Sequence, residues 1–189
     1  DALTLLTNGG GAGVLAADAA AEQGVPLAEL APATMAALDA VLPGNWSRGN
    51  PVDIVGYAPV ERYVQTFEAL AQDPAAGAVL FMHAPTAIVP AREIAAALVP
   101  VLKEFPGRLA SCWLGAGAVA EARALFIEAG VPVYDTPEQA VQAQLAGSAA
   151  QALLVYLRLG QGRHINRRHR RSPFGRRKPG RVRVPARRA

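Results

Sequence analysis

Asn8-Gly9-Gly10-Gly11-Ala12-Gly13 follows directly on the apolar run Leu3–Thr7, and no other stretch of the chain is so well suited to chemistry. Three glycines in succession expose backbone N–H groups with no side chains in the way, and the alanine-rich helical pattern that follows adds the positive end of its dipole. Such a mouth attracts an anion, most naturally a phosphoryl group. The spacing is neither GxxxxGK[ST] nor GxGxxG, because Gly9, Gly11 and Gly13 run GxGxG. On the local pattern alone, a tight strand-to-helix turn packed against a neighbour fits equally well.

Other reactive side chains are few. Cys112 is the only cysteine, so the chain holds no intramolecular disulfide and no cysteine-based zinc site. It lies in the apolar stretch Leu109–Leu114, where a cysteine is a small buried hydrophobe. His83 closes another apolar run and reads as packed or hydrogen-bonded, not as catalytic. His164 and His169 sit in a basic segment, and no acidic residue follows Glu138 to orient either one. No catalytic residue and no metal ligand is assigned.

The elements that must position the glycines alternate short apolar runs with helical patterns, the signature of βαβ units around a parallel sheet. Strands are expected at Leu3–Thr7, Leu27–Leu30, Ala78–Ala84, Leu109–Leu114 and Val131–Tyr134. Helices are expected from about Gly11 to Gln23, closed by Gly24, and over Pro32–Leu42, Pro59–Gln72 and Pro90–Lys103. Two more run from Gly117 to Gly130 and from Thr136-Pro137 to about Leu157, the latter with Thr136 as N-cap. Pro43–Gly56 reads as a loop. The fold expected is α/β, a flavodoxin-like doubly wound parallel five-stranded sheet of order 2-1-3-4-5, whose ligands gather at the C-terminal strand ends. Those ends are the loops Asn8–Gly11, His83–Ile88 and Gly115–Gly117.

Charge divides the chain in two. Residues 1–157 hold 6 basic against 15 acidic side chains, a net of −9, whereas residues 158–189 hold 13 basic and none acidic. The first segment is expected to be the folded domain. The second, Arg-rich and poor in apolar residues, is expected to be a disordered tail. That tail is a solvated linker, an aberrant C-terminus or an electrostatic arm for acidic surfaces. No apolar run reaches the roughly 18 residues that span a bilayer, and no basic n-region precedes an h-region, so the expectation is a cytoplasmic protein without a membrane partner.

Several stretches together carry a family resemblance: Thr7-Asn8-Gly9-Gly10-Gly11-Ala12-Gly13-Val14-Leu15-Ala16-Ala17-Asp18, Gly49-Asn50-Pro51-Val52-Asp53-Ile54, Asp73-Pro74, His83-Ala84-Pro85-Thr86-Ala87, Trp113-Leu114-Gly115 and Ala129-Gly130-Val131-Pro132-Val133-Tyr134-Asp135-Thr136-Pro137-Glu138. In order and spacing they resemble the CoA-ligase-type domain of NDP-forming acyl-CoA synthetases, related to the C-terminal domain of the succinyl-CoA synthetase β-subunit and found in ADP-forming acetyl-CoA synthetases. The resemblance runs to about residue 145.

It implies an acid–thiol ligase that interconverts acyl-CoA, NDP and phosphate with acid, CoA and NTP, by way of an acyl phosphate and a phosphohistidine. It further implies that the backbone of Gly9, Gly10 and Gly11, with Asn8 as a side-chain donor, cradles the phosphoryl group. Thr86, Ala87 and Ile88 match the turn that approaches the acyl group and phosphate. Asn50, Pro51 and Asp53 form a second signature, for which a structural role is expected. The phosphorylated histidine belongs to a His-x-Gly-Ala loop of another domain, so His83 is not its counterpart. Phosphate, CoA and ADP or ATP are accordingly expected only together with CoA-binding, phosphohistidine and ATP-grasp partner domains. The chain alone is expected to be inactive, and nucleic acid is not an expected partner. The alternatives are a stand-alone flavodoxin-like module for a nucleotide or small anion, and a nucleic-acid-associated protein acting through its tail.

Overall fold

Strand β1 (Leu3–Thr7) is buried along its whole length and is paired on both sides within a parallel sheet of five strands of order 2-1-3-4-5. The computed structural model describes residues 2–145. Along the chain, β1 is followed by α1 (Gly10–Glu22), α2 (Pro32–Val41), β2 (Val52–Asp53), α3 (Val60–Ala71), β3 (Ala78–His83) and α4 (Ala91–Lys103). Then come β4 (Leu109–Trp113), a 3-10 turn at Gly117–Val119, α5 (Ala120–Glu128), β5 (Val133–Tyr134) and α6 (Pro137–Leu145). This is the doubly wound, flavodoxin-like order expected from the sequence.

Strand side chains alternate between two apolar layers, as the period of two requires. Leu6, Val79 and Phe81 face α2, α3, α4 and α5 together with Leu38, Tyr63, Phe67, Leu98 and Phe126. Leu3, Leu5, Leu80 and Met82 face α1 and α6, where the layer is built from Ala12, Ala16, Ala19, Ala20, Ala140 and Val141. The small side chains of α1 bring its axis close to the sheet. Gly24 stops that helix in the left-handed conformation, φ +69°, with the Val25 amide donating back to the Ala20 carbonyl at 2.8 Å. Thr136 caps α6, its Oγ1 accepting from the Gln139 amide at 3.3 Å.

The second strand is not where the apolar pattern puts it. Leu27 makes only a single parallel bridge to Leu3, and the strand proper, Val52–Asp53, lies inside the stretch read as a loop. Between these two pieces the edge of β1 is completed by a side chain. Asn50 Oδ1 accepts from the Leu5 amide at 2.9 Å, and its Nδ2 donates to the carbonyls of Leu3 at 2.9 Å and Ala28 at 3.0 Å. The carboxamide stands in for a missing peptide unit of the sheet, since it offers the same donor and acceptor pair. The peptide bond to Pro51 that follows is cis. Among the described residues no helix is long and apolar enough to cross a membrane. The end of the last predicted helix near Leu157, the boundary at residue 158 and the basic tail fall outside the described residues.

Replacing Asn50 by Ala would take their side-chain partner from the Leu5 amide and the Ala28 carbonyl, while the Leu3 carbonyl keeps the Ala28 amide at 2.9 Å. An Asn50→Ala chain should lose about 3 kcal/mol of stability, read as a lower urea midpoint; a change under about 0.5 kcal/mol would mean that water fills the gap without cost.

Candidate functional site at the mouth of the first helix

β1 leads into α1 through Asn8 and Gly9. Gly9 is the N-cap, in an extended conformation (φ −134°, ψ 108°), and no side chain caps the helix. The first amides of an α-helix have no intrahelical acceptor, and here they divide into two kinds. Gly9 donates to Thr7 Oγ1 at 3.0 Å, and Ala12 donates to the Gly9 carbonyl at 2.9 Å. The amides of Gly10 and Gly11 meet no acceptor among the described residues, and both residues are exposed. No acidic residue occupies the first turn, so the positive pole of α1 is uncompensated within the helix.

Three further loops close around this mouth. The β2–α3 loop brings Asp53, whose Oδ2 lies 3.1 Å from where a side-chain carbon on Gly10 would stand. It also brings Gly56, which faces the Asn8 carbonyl and Thr86 Cγ2 at 3.5 and 4.0 Å by the same measure. The β3–α4 loop brings Ala84, 3.0 Å from the corresponding point on Gly9. The β4–α5 loop stands behind, with Gly115 at φ +88° packed on Pro85. A side-chain carbon on Gly9 or Gly10 would thus be accommodated only if Ala84 or the Asp53 carboxylate gave way by a few tenths of an ångström; at Gly11 it would meet nothing within 4 Å.

The residues anticipated from the sequence take different parts. Asn8 was expected to donate to the anion, but its carboxamide is buried and engaged elsewhere. Nδ2 donates to the Ala84 carbonyl and Oδ1 accepts from the Ala84 amide, both at 2.8 Å. It ties the ends of β1 and β3 together, so the donors left at the mouth are backbone groups, and of the three glycine amides that of Gly9 is already bonded. Thr86 is half-buried at the rim, with Oγ1 accepting from the Ile88 amide at 3.4 Å; Ala87 and Ile88 follow it into solvent. Asn50 is the sheet insert described above, and Pro51 packs against Gly13. Asp53 Oδ1 accepts from the Val55 amide at 2.9 Å and holds that residue at φ +69°, a strained conformation for a β-branched side chain.

A doubly wound parallel sheet that opens an uncapped helix at its switch point defines a flavodoxin-like α/β domain. Residues 3–148 match the model of the Ligase-CoA domain, and the chain belongs to that family. It is 36% identical over 142 residues to an ADP-forming acetate–CoA ligase I of Archaeoglobus fulgidus, covering 75% of this chain and 20% of that protein. It is 34% identical over 148 residues to the α subunit of ADP-forming acetate–CoA ligase II of Pyrococcus furiosus, covering 76% and 32%. Among solved structures it is similar to acetyl-coenzyme A synthetase 1 of Korarchaeum cryptofilum in complex with phosphate and ADP. The TM-score is 0.70 at 31% identity, over 83% of this chain and 33% of that one. The chain therefore spans between a fifth and a third of the relatives it matches.

His83, next in sequence to the mouth, is fully buried. Its ring packs on Trp113 with centroids 5.0 Å apart, its Nδ1 is 3.4 Å from the Tyr63 hydroxyl, and its Nε2 has no partner. Burial lowers its pKa to about 4 and keeps the ring neutral. Cys112 is likewise buried, its thiol pushed up to about 12 chiefly by desolvation, and it is inert as a nucleophile. Because the folded pKa of His83 lies below the unfolded value of about 6.5, the unfolded chain binds the extra proton first. Stability contributed by the neutral ring is complete above pH ~6.5 and is lost as the pH falls towards 4. Urea midpoints over that range should fall by the equivalent of about 2 kcal/mol more in the parent than in His83→Phe; parallel curves would place the ring in contact with water.

Proposed function

We propose that this chain is one domain of an NDP-forming acyl-CoA synthetase and supplies half of a cradle for the phosphoryl group of a phosphohistidine carried by another domain. The observation that carries this is the pair of open amides, Gly10 and Gly11, at an uncapped helix start, in a member of a family whose relatives are named ADP-forming acetate–CoA ligases. An anion set there meets two convergent N–H donors and the positive pole of α1. The donors need no reorganisation when charge builds on the transferring group, which is what electrostatic catalysis of phosphoryl transfer asks of a protein.

In this reading the chain contributes no nucleophile, acid or base. Its only described histidine is shut in the core, and among the described residues no cluster of His, Cys, Asp and Glu could hold a metal ion. The reacting imidazole, the CoA site and the nucleotide site come from a histidine-bearing, a CoA-binding and an ATP-grasp domain, in the same polypeptide or a second subunit. Phosphate, CoA and ADP or ATP are bound by that assembly, in the cytoplasm. Thr86, Ala87 and Ile88 face the acyl group across the rim. Acyl-CoA, phosphate and NDP are converted there to acid, CoA and NTP, and Asn8 acts by positioning the mouth instead of touching the ligand.

The test is Gly10→Val in an enzyme reassembled with those three domains. A side chain at position 10 would crowd the mouth and press on Asp53. Phosphoryl transfer should fall by about a hundredfold or more, while the melting temperature of the chain stays within a few degrees. Undiminished transfer would remove the cradle from the mechanism.

A further inference from the structure

We propose that Asp53 makes the mouth selective for an oxyanion that still carries a proton, so that hydrogen phosphate is accepted and sulfate refused. This rests on the cradle reading above and adds the rule by which that cradle chooses its anion. A carboxylate beside a site for anions is at first sight a contradiction, and the turn bond from the Val55 amide engages only its Oδ1. Among the described residues Asp53 forms no ion pair. It makes no hydrogen bond to the open amides of α1, yet its Oδ2 sits 3.1 Å from the side-chain position of Gly10, the residue whose amide the anion would take.

The group is also held in place. Parallel pairing sets Asp53 opposite Thr7, its amide donates to Ser47 Oγ at 2.9 Å, and the next amide, Ile54, donates to the Thr7 carbonyl at 2.8 Å. The side chain is aimed by the bond from Val55 to Oδ1, which leaves Oδ2 turned to the mouth. The nearest described cation on the following helix, Arg62, is engaged with the Ile54 carbonyl at 3.2 Å and lies over the Tyr57 ring. It does not neutralise Asp53.

Two negative oxygens cannot share such a space unless a proton lies between them. Hydrogen phosphate brings one: its remaining oxygens accept from Gly10 and Gly11, and its O–H donates to Asp53 Oδ2 as a short, charge-assisted bond. Sulfate has the same shape and no proton to offer near neutral pH, so it would leave the carboxylate opposed. Arsenate, which protonates as phosphate does, should follow phosphate.

The measurement is a titration of the full chain with phosphate, arsenate and sulfate at neutral pH, followed at the Gly10 and Gly11 amide resonances so that binding to the basic tail is not counted. In the parent, phosphate and arsenate should bind at least about tenfold more tightly than sulfate, the worth of one charge-assisted hydrogen bond. In Asp53→Asn, which keeps the Oδ1 acceptor for Val55, sulfate should gain and the preference should shrink towards unity. Equal binding of sulfate and phosphate by the parent, or an unaltered ratio in Asp53→Asn, overturns the role of Asp53 and leaves the cradle standing. If Asp53→Asn does not fold, the parent's ranking of the three anions decides alone. Failure of every anion to shift these two amides overturns the cradle and the selectivity with it.

Discussion

The two hydrogen bonds between the Asn8 carboxamide and the backbone of Ala84, each 2.8 Å, fix the end of β1 to the end of β3. Everything at the mouth is set relative to that clamp. It holds Ala84 against Gly9, and it places the β3–α4 loop where Thr86 can form the rim. A carboxamide does this with two atoms of one flat group, Nδ2 donating to the carbonyl and Oδ1 accepting from the amide, whereas an ionised carboxylate can only accept. With the strand ends joined, α1 starts at a defined height above the sheet, and its first amides point into the space between the loops.

Asn50 performs the same substitution one strand away. It supplies the pairing that β1 lacks between Leu27 and Val52, and it lets the chain pass from sheet edge to mouth within three residues, ending at Asp53. The two asparagines thus use side-chain amides as pieces of backbone. Stability and site geometry share these contacts, and loosening either one would move the carboxylate and the loop that face the helix start.

Much of this was legible in the sequence. The buried strands β1, β3 and β4 announce themselves as apolar runs, and the stops at Gly24 and Gly130 follow from helix-ending chemistry, both residues having positive φ. The glycine run marked the mouth. What escaped was whatever depends on contacts distant in sequence. β2 has two residues and sits among turn formers, so neither length nor periodicity reveals it; Leu27 carries the stronger local pattern and forms one bridge. Asn8 next to three glycines reads as a ligand donor, and only the position of Ala84, 76 residues on, shows where its amide goes. Asp53 was recognisable as part of a signature, but its approach to Gly10 comes from the parallel pairing of β1 with β2.

At the centre stands the reading that the open Gly10 and Gly11 amides hold a phosphoryl group that keeps a proton. A crystal of the chain grown without sulfate and soaked in phosphate tests it at the atoms concerned. Phosphate density is expected at the start of α1, with oxygens about 2.9 Å from both nitrogens. A mouth closed by protein side chains, with phosphate found only elsewhere, would contradict it.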